Sequence, residues 1–451
     1  MIWNLKVALV LTLTLSALAG QSRVAHSSNE QTTNPAPLNL ITPEVVRPLI
    51  VTLAGAGFEG RGAGYPGEKK AAEFIAEEFK KIGLEPAGDR VGRSYFQEFK
   101  FHPRHPVVPW EMLTSRNVLG FIEGSDPVLK HEIVVVGAHY DGQGRAGQAD
   151  PMRFQPADAG PQSQAVWNSA NDNATGVSAV LAAARAIKLG RAPAKRSVLF
   201  IAFGCEEHGM SGSIQYVTHP AFELGRHVAM INYEKLGRAP DKSLSAQATS
   251  SSPAWDELIQ KISTQTGTAV KPLVPYVIPD SDHYPFAVSG IPTVMFIKPG
   301  GGEDAHLPTD TAEKIDYERV AEYARYGLAV TLELANRTER LPYAATLIGR
   351  DPGLICHLAA DAEADSAGLR APDSGLKVTG VIAGGAAYRA GLRVGDLMVN
   401  AAGSAFPRGT TLETLQKLQI EILTGQKGDR LPVTIIRGKQ RMELTIELRR
   451  P

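Results

Sequence analysis

The chain of 451 residues contains only two cysteines, Cys205 and Cys356. A scaffold held by disulfides needs several paired cysteines, so the count excludes that class of fold. Cys205 directly precedes two glutamates, where a thiolate ligand is conceivable. We instead predict a small buried residue at this position, because a cysteine in an apolar setting packs as a small hydrophobe.

The chain also lacks excess charge of either sign, because 47 Lys and Arg residues balance 47 Asp and Glu residues. No long basic block is present, so nothing favours a nucleic acid as partner. Lys6 precedes an uncharged apolar stretch over residues 7–18, and small residues follow it. This pattern predicts a signal peptide over residues 1–20 and an exported protein, periplasmic or secreted, with an uncleaved N-terminal anchor as the alternative.

Residues 21–40 are polar and proline-rich, which predicts a disordered lead. No later segment is long and apolar enough to predict a membrane span. The length of the remaining chain suits two or three domains.

Short uncharged runs rich in β-branched and aromatic residues are abundant. Four of them span residues 133–138, 198–203, 228–231 and 292–297. Such runs are typical of strands that are buried on both faces of a parallel sheet. We therefore predict an α/β fold with a mixed, mainly parallel sheet flanked by helices.

The residues that follow these four runs are histidines and glutamates, namely His139, Glu206, Glu207, Glu234 and His306. In an open α/β sheet, side chains beyond the carboxyl ends of parallel strands meet at one edge. Asp172 stands just before an alanine-rich helical stretch over residues 177–189, which places it at a helix entry. Imidazole and carboxylate are groups that bind zinc, and adjacent carboxylates need a cation or a proton between them. The pattern predicts a metal site at this edge.

These motifs resemble those of the zinc peptidases of family M28, whose prototypes are bacterial aminopeptidases with two zinc ions. The resemblance covers residues 53 to about 335. It rests on the segments 58–62, 139–141, 172–176, 206–207, 281–283 and 306–310.

The resemblance implies two Zn2+ ions, with Asp172 as the ligand that bridges them. His139 and Glu234 would complete the first site, and Glu207 and His306 would complete the second. The family most often has aspartate at the position of Glu234. The extra methylene leaves the identity of the metal at the first site open, although we expect Glu234 to bind it.

The resemblance also implies further roles around the metals. Glu206 would be the general base, and Asp141 and Asp310 would orient His139 and His306 from behind. His283 and Tyr284 are candidates for contacting the substrate or the oxyanion that forms during the reaction.

After residue 334 the character of the chain changes. A polar linker precedes an alternating strand pattern over residues 376–382, an amphipathic helical pattern over 411–423 and a hairpin that turns at Gly438. Together with the turn that ends at Asp396, these features resemble a PDZ domain over residues 345–451. Such domains bind an extended peptide along a strand edge. The preceding peptidase domain would span residues 41–337.

The implied function is an exported zinc aminopeptidase that acts on peptides with a free N-terminus. Three alternatives remain open at this point. They are a one-zinc acyltransferase of the glutaminyl cyclase type, a carboxypeptidase of the same family, and a non-catalytic protein that binds peptides through its PDZ module.

Local patterns add finer predictions. Helices are expected over residues 43–54, with Thr42 as the cap, and over 67–82, ended by Gly83. Residues 94–101 and 117–122 are predicted to be strands at the edge of the sheet. Residues 142–166 form a glycine- and proline-rich insert that is expected to shape a substrate pocket.

Overall fold

The computed structural model describes residues 36–89, 93–101, 112–146, 148, 165–190, 194–238, 241–273, 275, 277–298, 304–344, 354–359, 361–370, 373–381, 385–408, 410, 418, 421–422 and 427–448. The predicted signal peptide and most of the disordered lead lie outside these residues. Within them, no helix combines the length and the apolar character needed to cross a membrane.

A nine-stranded mixed sheet forms the centre of the first part of the chain. Its strands in chain order are β1 Glu85–Pro86, β2 Phe96–Phe101, β3 Leu113–Ile122, β4 Ile133–His139, β5 Ser197–Phe203, β6 His227–Glu234, β7 Leu244–Gln247, β8 Val270–Pro272 and β9 Thr293–Ile297. The spatial order is β1-β3-β5-β4-β6-β9-β7-β8, and β2 also pairs with β3. The four strands β5, β4, β6 and β9 are mutually parallel neighbours, which confirms the predicted α/β class.

Helices cover both faces of this sheet. They are α1 Pro43–Leu53, α2 Pro66–Ile82, α3 Thr175–Leu189, α4 Ser211–Thr218, α5 Trp255–Thr266, α6 His283–Val288 and α7 Tyr317–Asn336. Alternate residues of the strands face opposite layers, as the pleat requires. Val134 and Val136 pack into the cluster that contains α1, α2, α3 and α7, whereas Ile133 and Val135 pack with residues of α4 and α6.

Two local predictions need correction. β3, which contains the predicted strand 117–122, is not an edge strand, because it pairs with β5 on one side and with β1 and β2 on the other. Six of its ten residues are buried, including Val118 and Leu119. Thr42 does precede α1 in an extended conformation, but its side chain makes no capping hydrogen bond to the helix.

The end of α2 agrees with prediction. Gly83 follows the helix with φ of 83°, the left-handed conformation that glycine adopts at low cost, and its amide donates to the carbonyls of Phe79 and Lys80.

A second, smaller sheet forms in the C-terminal part of the chain. Its strands are β10 Leu354–Leu358, β11 Leu376–Val381, β12 Leu397–Ala401, β13 Ser404–Ala405, β14 Arg430–Arg437 and β15 Gln440–Glu447. All pairings are antiparallel, in the order β10-β11-β12-β14-β15, with β13 beside β12. Two short helices, α8 Asp361–Ser366 and α9 Ala386–Arg389, accompany it.

Some of the elements predicted for the C-terminal region are present in the structure. The hairpin of β14 and β15 turns at Gly438, which has φ of 62°. Asp396 is buried and accepts hydrogen bonds from the Arg437 guanidinium at 2.7 and 2.8 Å. Most of the predicted helix 411–423 lies outside the described residues. Leu418 and Ile422, which are described, pack into the core of the small sheet.

Candidate metal centre

The carboxyl ends of the parallel strands meet at the predicted edge. β4 ends at His139 and β6, its neighbour, ends at Glu234. Glu207 follows β5 on the other side of β4, and His306 follows β9. The topology therefore brings together residues that are up to 167 positions apart in the chain, the separation of His139 and His306.

The first group of possible ligands consists of His139, Asp172 and Glu234. Nε2 of His139 lies 3.2 Å from Oδ1 of Asp172 and 3.2 Å from Oε1 of Glu234. Four ligands arranged tetrahedrally around zinc at its usual bond lengths are about 3.3 Å apart. Both distances match the spacing of two ligands of one zinc ion, and the ligand atoms of the three residues all lie within 4.8 Å of one another.

The second group consists of Asp172, Glu207 and His306. Nε2 of His306 lies 3.2 Å from Oδ2 of Asp172 and 3.3 Å from Oε2 of Glu207. Asp172 thus turns one carboxylate oxygen to each histidine. The five residues predicted as ligands come together in two groups that share this aspartate.

The donor set suits a cation. Asp172 Oδ1 and Glu207 Oε1 are buried and have no hydrogen-bond partner within the described part of the chain. Burying such atoms without a partner is costly. Burial by itself lowers the pKa of His139, but the surrounding carboxylates, with Glu234 first, raise it well above its usual value. The site thus has strong demand for positive charge, which a metal ion satisfies.

Glu206 lies beside these groups and is more exposed than the ligands. Its Oε2 is 4.0 Å from Nε2 of His139, and 13% of its side chain is exposed, against 4% for Glu207. Burial, partly opposed by His139, and the neighbouring Glu207 raise the pKa of Glu206 well above its usual value. His139, Glu206 and Glu207 also form a third group that meets the spacing of metal ligands.

Asp141 holds the loop that carries both glutamates. Its two carboxylate oxygens accept hydrogen bonds from the amides of Glu206 at 3.0 Å and of Glu207 at 3.2 Å. Nδ1 of His139 lies 3.2 Å from the Asp141 carbonyl oxygen and 3.6 Å from its carboxylate. Asp141 therefore contacts both the histidine and the backbone of the glutamate pair.

The hydrogen bonds described for Asp310 join it to the backbone of the loop that carries Asp172. Its carboxylate accepts from the amides of Asn171 at 2.9 Å and Asp172 at 3.1 Å. Burial raises the pKa of Asp310 to about 6, although these amides favour its charged form.

Glu234 reaches the first group despite its extra methylene. Its second oxygen, Oε2, accepts from the hydroxyl of Ser281 at 2.8 Å and from Nδ2 of Asn173 at 3.3 Å. These two bonds leave Oε1 directed to His139, so the longer side chain still presents one oxygen to the site.

His283 and Tyr284 lie in the first turn of α6 and are both buried. Burial lowers the pKa of His283 to about 4, so its imidazole is neutral at pH 7. Tyr284 packs in an apolar cluster with Met210, Val277 and Ala287. Their predicted contact with the substrate stays a prediction.

Two site residues carried signals that sequence reasoning did not use. Arg61, inside the quoted motif 58–62, is fully buried and donates to the carbonyls of Tyr140 at 2.7 Å and Ser169 at 2.7 Å. It thereby ties the exit of β4 to the loop before Asp172. Lys235, directly after Glu234, places Nζ 3.0 Å from Glu234 Oε1 and 3.4 Å from Asp172 Oδ2.

Two other sequence predictions concern the surroundings of the site. Cys205 is buried against Ala63, Phe99 and Phe101, as predicted, and the ligand groups of the described residues do not include it. Most of the insert 142–166 lies outside the described residues. At its ends, Gly142 bridges Gly62 and Arg145 bridges Val166.

Comparison with known proteins agrees with this geometry. Residues 117–331 match the family model for Peptidase family M28. The chain is 29% identical over 248 residues to Aminopeptidase YwaD of Bacillus subtilis, an alignment that covers 50% of this chain and 46% of that protein. It is 25% identical over 302 residues to a probable leucine aminopeptidase of Arthroderma benhamiae, covering 60% of this chain and 76% of the relative. The chain thus spans about half the length of the Bacillus relative.

Solved structures share the fold. The zinc aminopeptidase BSAP from Bacillus subtilis superposes with a TM-score of 0.51 at 20% identity, covering 66% of this chain and 97% of that one. An aminopeptidase from Aneurinibacillus sp. strain AM-1 gives a TM-score of 0.51 at 17% identity, with 68% and 97% covered. Over residues 117–331 the chain is thus similar to peptidases of family M28, and it shares the fold of these solved structures.

Proposed function

We propose that the protein is an exported, two-zinc aminopeptidase that removes N-terminal residues from peptides. The observation that carries the proposal is the pair of three-residue ligand groups that share Asp172, with Glu206 beside them. His139, Asp172 and Glu234 would hold one zinc ion, and Asp172, Glu207 and His306 the other. Zinc in such a pair, when bound, activates water and polarises the substrate carbonyl.

The chain's own residues supply the proton transfer. Glu206 takes a proton from the attacking water and passes it to the nitrogen that leaves as the peptide C–N bond breaks. Burial and the neighbouring Glu207 raise the pKa of Glu206 above its usual value, which favours uptake of this proton. Asp141 keeps the carboxylate in place through the amides of residues 206 and 207.

The two-group geometry favours this function over the two alternatives without a metal pair. A one-zinc acyltransferase has no need of His139 and Glu234, yet both lie 3.2 Å from the facing ligand atoms. A protein that only binds peptides has no need of either group. A carboxypeptidase would use the same metals and differs only in the charge of its pocket.

The testing experiment uses aminoacyl anilides and their N-acetylated counterparts, with and without a chelator, and counts zinc per chain. The proposal expects two zinc ions per chain and chelator-sensitive release from free-amine substrates alone. Two zinc ions with release only from substrates that carry a free C-terminus would replace it with the carboxypeptidase. One zinc ion or none would overturn the two-metal site.

The C-terminal unit is part of the same proposal. The antiparallel sheet with its hairpin and short helices supports a PDZ module over residues 345–451, which would bind an extended peptide or a partner at a strand edge. Fluorescence anisotropy with labelled peptides of random and apolar C-terminal sequence tests it. Affinity for none of them would count against a peptide-binding role.

A further inference from the structure

Lys235 is fixed at the metal centre by its backbone. It follows the last residue of β6 in the left-handed conformation, with φ of 49°, which is uncommon for a lysine. Its amide donates to Oδ1 of Asn173 at 3.2 Å, and the next amide, of Leu236, donates to the hydroxyl of Thr175 at 3.0 Å. The chain beyond Glu234 is therefore bonded to the loop that carries Asp172.

The ammonium group of Lys235 lies between the buried ligands and solvent. Nζ contacts Glu234 and Asp172, whose side chains are 3% and 4% exposed, whereas the lysine side chain is 30% exposed. Glu206 and His306 are exposed by 13% and 17%. Among these site residues, Lys235 is therefore the most accessible to a substrate.

An ammonium group at this place changes which substrates the centre favours. It has three N–H donors, and contacts within the described residues use two of them. A fixed positive charge repels the protonated amine of a substrate and attracts a carboxylate, with which it forms a strong, charge-assisted hydrogen bond.

We propose that Lys235 binds a carboxylate of the substrate, so that the centre prefers substrates that place a carboxylate beside the metal ligands. The proposal rests on the proposed function of the same site. Two sources offer this chemistry. One is the side chain of an N-terminal Asp or Glu, and the other is the C-terminal carboxylate of a dipeptide.

Matched substrate pairs separate the two sources. Aspartyl anilide against asparaginyl anilide tests the side-chain carboxylate, and Ala-Ala against Ala-Ala amide tests the C-terminal one. We expect kcat/KM in one pair to favour the carboxylate member by about tenfold or more, as one charge-assisted hydrogen bond implies. In Lys235→Met, which keeps length and loses charge, the ratio should approach one, and Lys235→Arg should restore part of it.

The ratio cancels effects that act on both members of a pair, such as a change in folding. Lys261→Met is the matched control, because this lysine is 48% exposed and pairs with Glu333 away from the site. It should leave both ratios unchanged. A ratio near one in both pairs for the unaltered protein would overturn the proposal.

A binding measurement keeps the test independent of turnover. Calorimetry measures the affinity of zinc-loaded protein for L-aspartate and L-asparagine. The affinities for Ala-Ala and Ala-Ala amide are measured on the zinc-loaded Glu206→Gln variant. In each pair the carboxylate member should bind more tightly, and Lys235→Met should abolish this preference. Zinc per chain is counted in every variant. If Lys235→Met loses zinc while the preference stays, the lysine only neutralises ligands and the proposal is wrong. If nothing is hydrolysed but the Lys235-dependent preference appears, the proposed function fails and this one stands.

Discussion

At the scale of single residues, the candidate metal centre is a cluster of carboxylates close to histidines. Four carboxylates, those of Asp172, Glu206, Glu207 and Glu234, gather around two imidazoles. Glu206 and Glu207 are neighbours in the chain, but their surroundings divide their tasks. Glu207 directs one oxygen to His306 at 3.3 Å, whereas Glu206 stays 4.0 Å from His139 and is more exposed. Exposure and distance thus separate the proposed base from the ligand.

Replacing Glu206 by glutamine tests its role as general base. Glutamine has nearly the same shape but cannot take up a proton, so kcat should fall by about 10²- to 10⁴-fold, the usual contribution of general acid–base catalysis. Zinc per chain should stay at the level of the unaltered protein, because the proposed ligands are untouched. Near-normal turnover of Glu206→Gln on aminoacyl anilides would contradict the assignment.

His227 provides a residue-scale prediction outside the site. It is buried, its Nε2 lies 2.7 Å from the Tyr216 hydroxyl and its Nδ1 lies 3.2 Å from the Glu223 carbonyl. Burial lowers the pKa of His227 to about 4. The unfolded chain binds a proton near pH 6.5, whereas the folded chain does not until about pH 4. Stability from the neutral imidazole is therefore present above pH 6.5 and is lost as the pH falls towards 4.

Urea unfolding at pH 7 and pH 4.5 measures this loss. His227→Gln should reduce the difference in unfolding free energy between the two pH values by about 2.5 kcal/mol. Both proteins are compared in chelator, so that zinc release does not contribute. His219→Gln is the control, because His219 is exposed and should leave the difference unchanged. If the unfolding free energy changes equally between the two pH values in His227→Gln and in the unaltered protein, the lowered pKa of His227 is not the cause of the pH dependence.

At the scale of elements, the parallel strands and the helices that cover them position the proposed metal ligands. β6 carries Glu234 at its end, and α7 packs against it at Gly327. A Cβ atom at Gly327 would lie only 2.0 Å from the hydroxyl oxygen of Tyr233, the residue before Glu234. The close approach of α7 thus depends on the missing side chain of Gly327, beside the strand end that carries Glu234.

Gly327→Ala should push α7 and β6 apart. Overpacking of this kind costs about 1–3 kcal/mol, which chemical denaturation would detect as a lower midpoint. Gly225→Ala is the matched control, because a Cβ there meets nothing within 4 Å. Similar stability of the two variants would show that the Tyr233 side chain moves aside at little cost.

At the scale of the whole molecule, the proposed metal binding would be linked to folding. The buried carboxylates of Asp172, Glu207 and Glu234 face each other across the ends of separate strands, so a cation between them stabilises the folded state alone. Among the described contacts, the positive partners of these carboxylates are Lys235, His139 and His306.

Removing metal should therefore destabilise the protein. At free zinc about 100-fold above its dissociation constant, the linkage contributes about 2.7 kcal/mol per site. A thermal scan should show a lower midpoint in chelator and recovery on adding zinc. Asp172→Asn, which removes charge from the shared ligand, should respond much less. If neither chelator nor zinc changes the thermal midpoint of the unaltered protein, the result would argue against resident zinc.

Much of the fold and of the candidate site could be predicted from the sequence, because the patterns that indicate them are local. Uncharged runs such as 198–203 become buried strands wherever a sheet forms, and a ligand directly after a strand lies at the sheet edge in any parallel arrangement. His139, Asp172, Glu207, Glu234 and His306 were predicted for this reason and through family resemblance, and their atoms come together in the structure.

Other properties were decided only by the tertiary structure. Whether β3 lies at an edge depends on which strands pair with it, and its own residues do not encode that choice. Arg61 lies 79 positions before Tyr140, yet donates to its carbonyl, and such a contact leaves no periodic signal. Lys235 looks like an ordinary surface lysine until β6, β4 and the Asp172 loop converge around it. The sequence alone determined which chemical groups this protein has and which strands carry them. Their distances, burial and charge partners came from packing, because these depend on chain segments far apart in sequence.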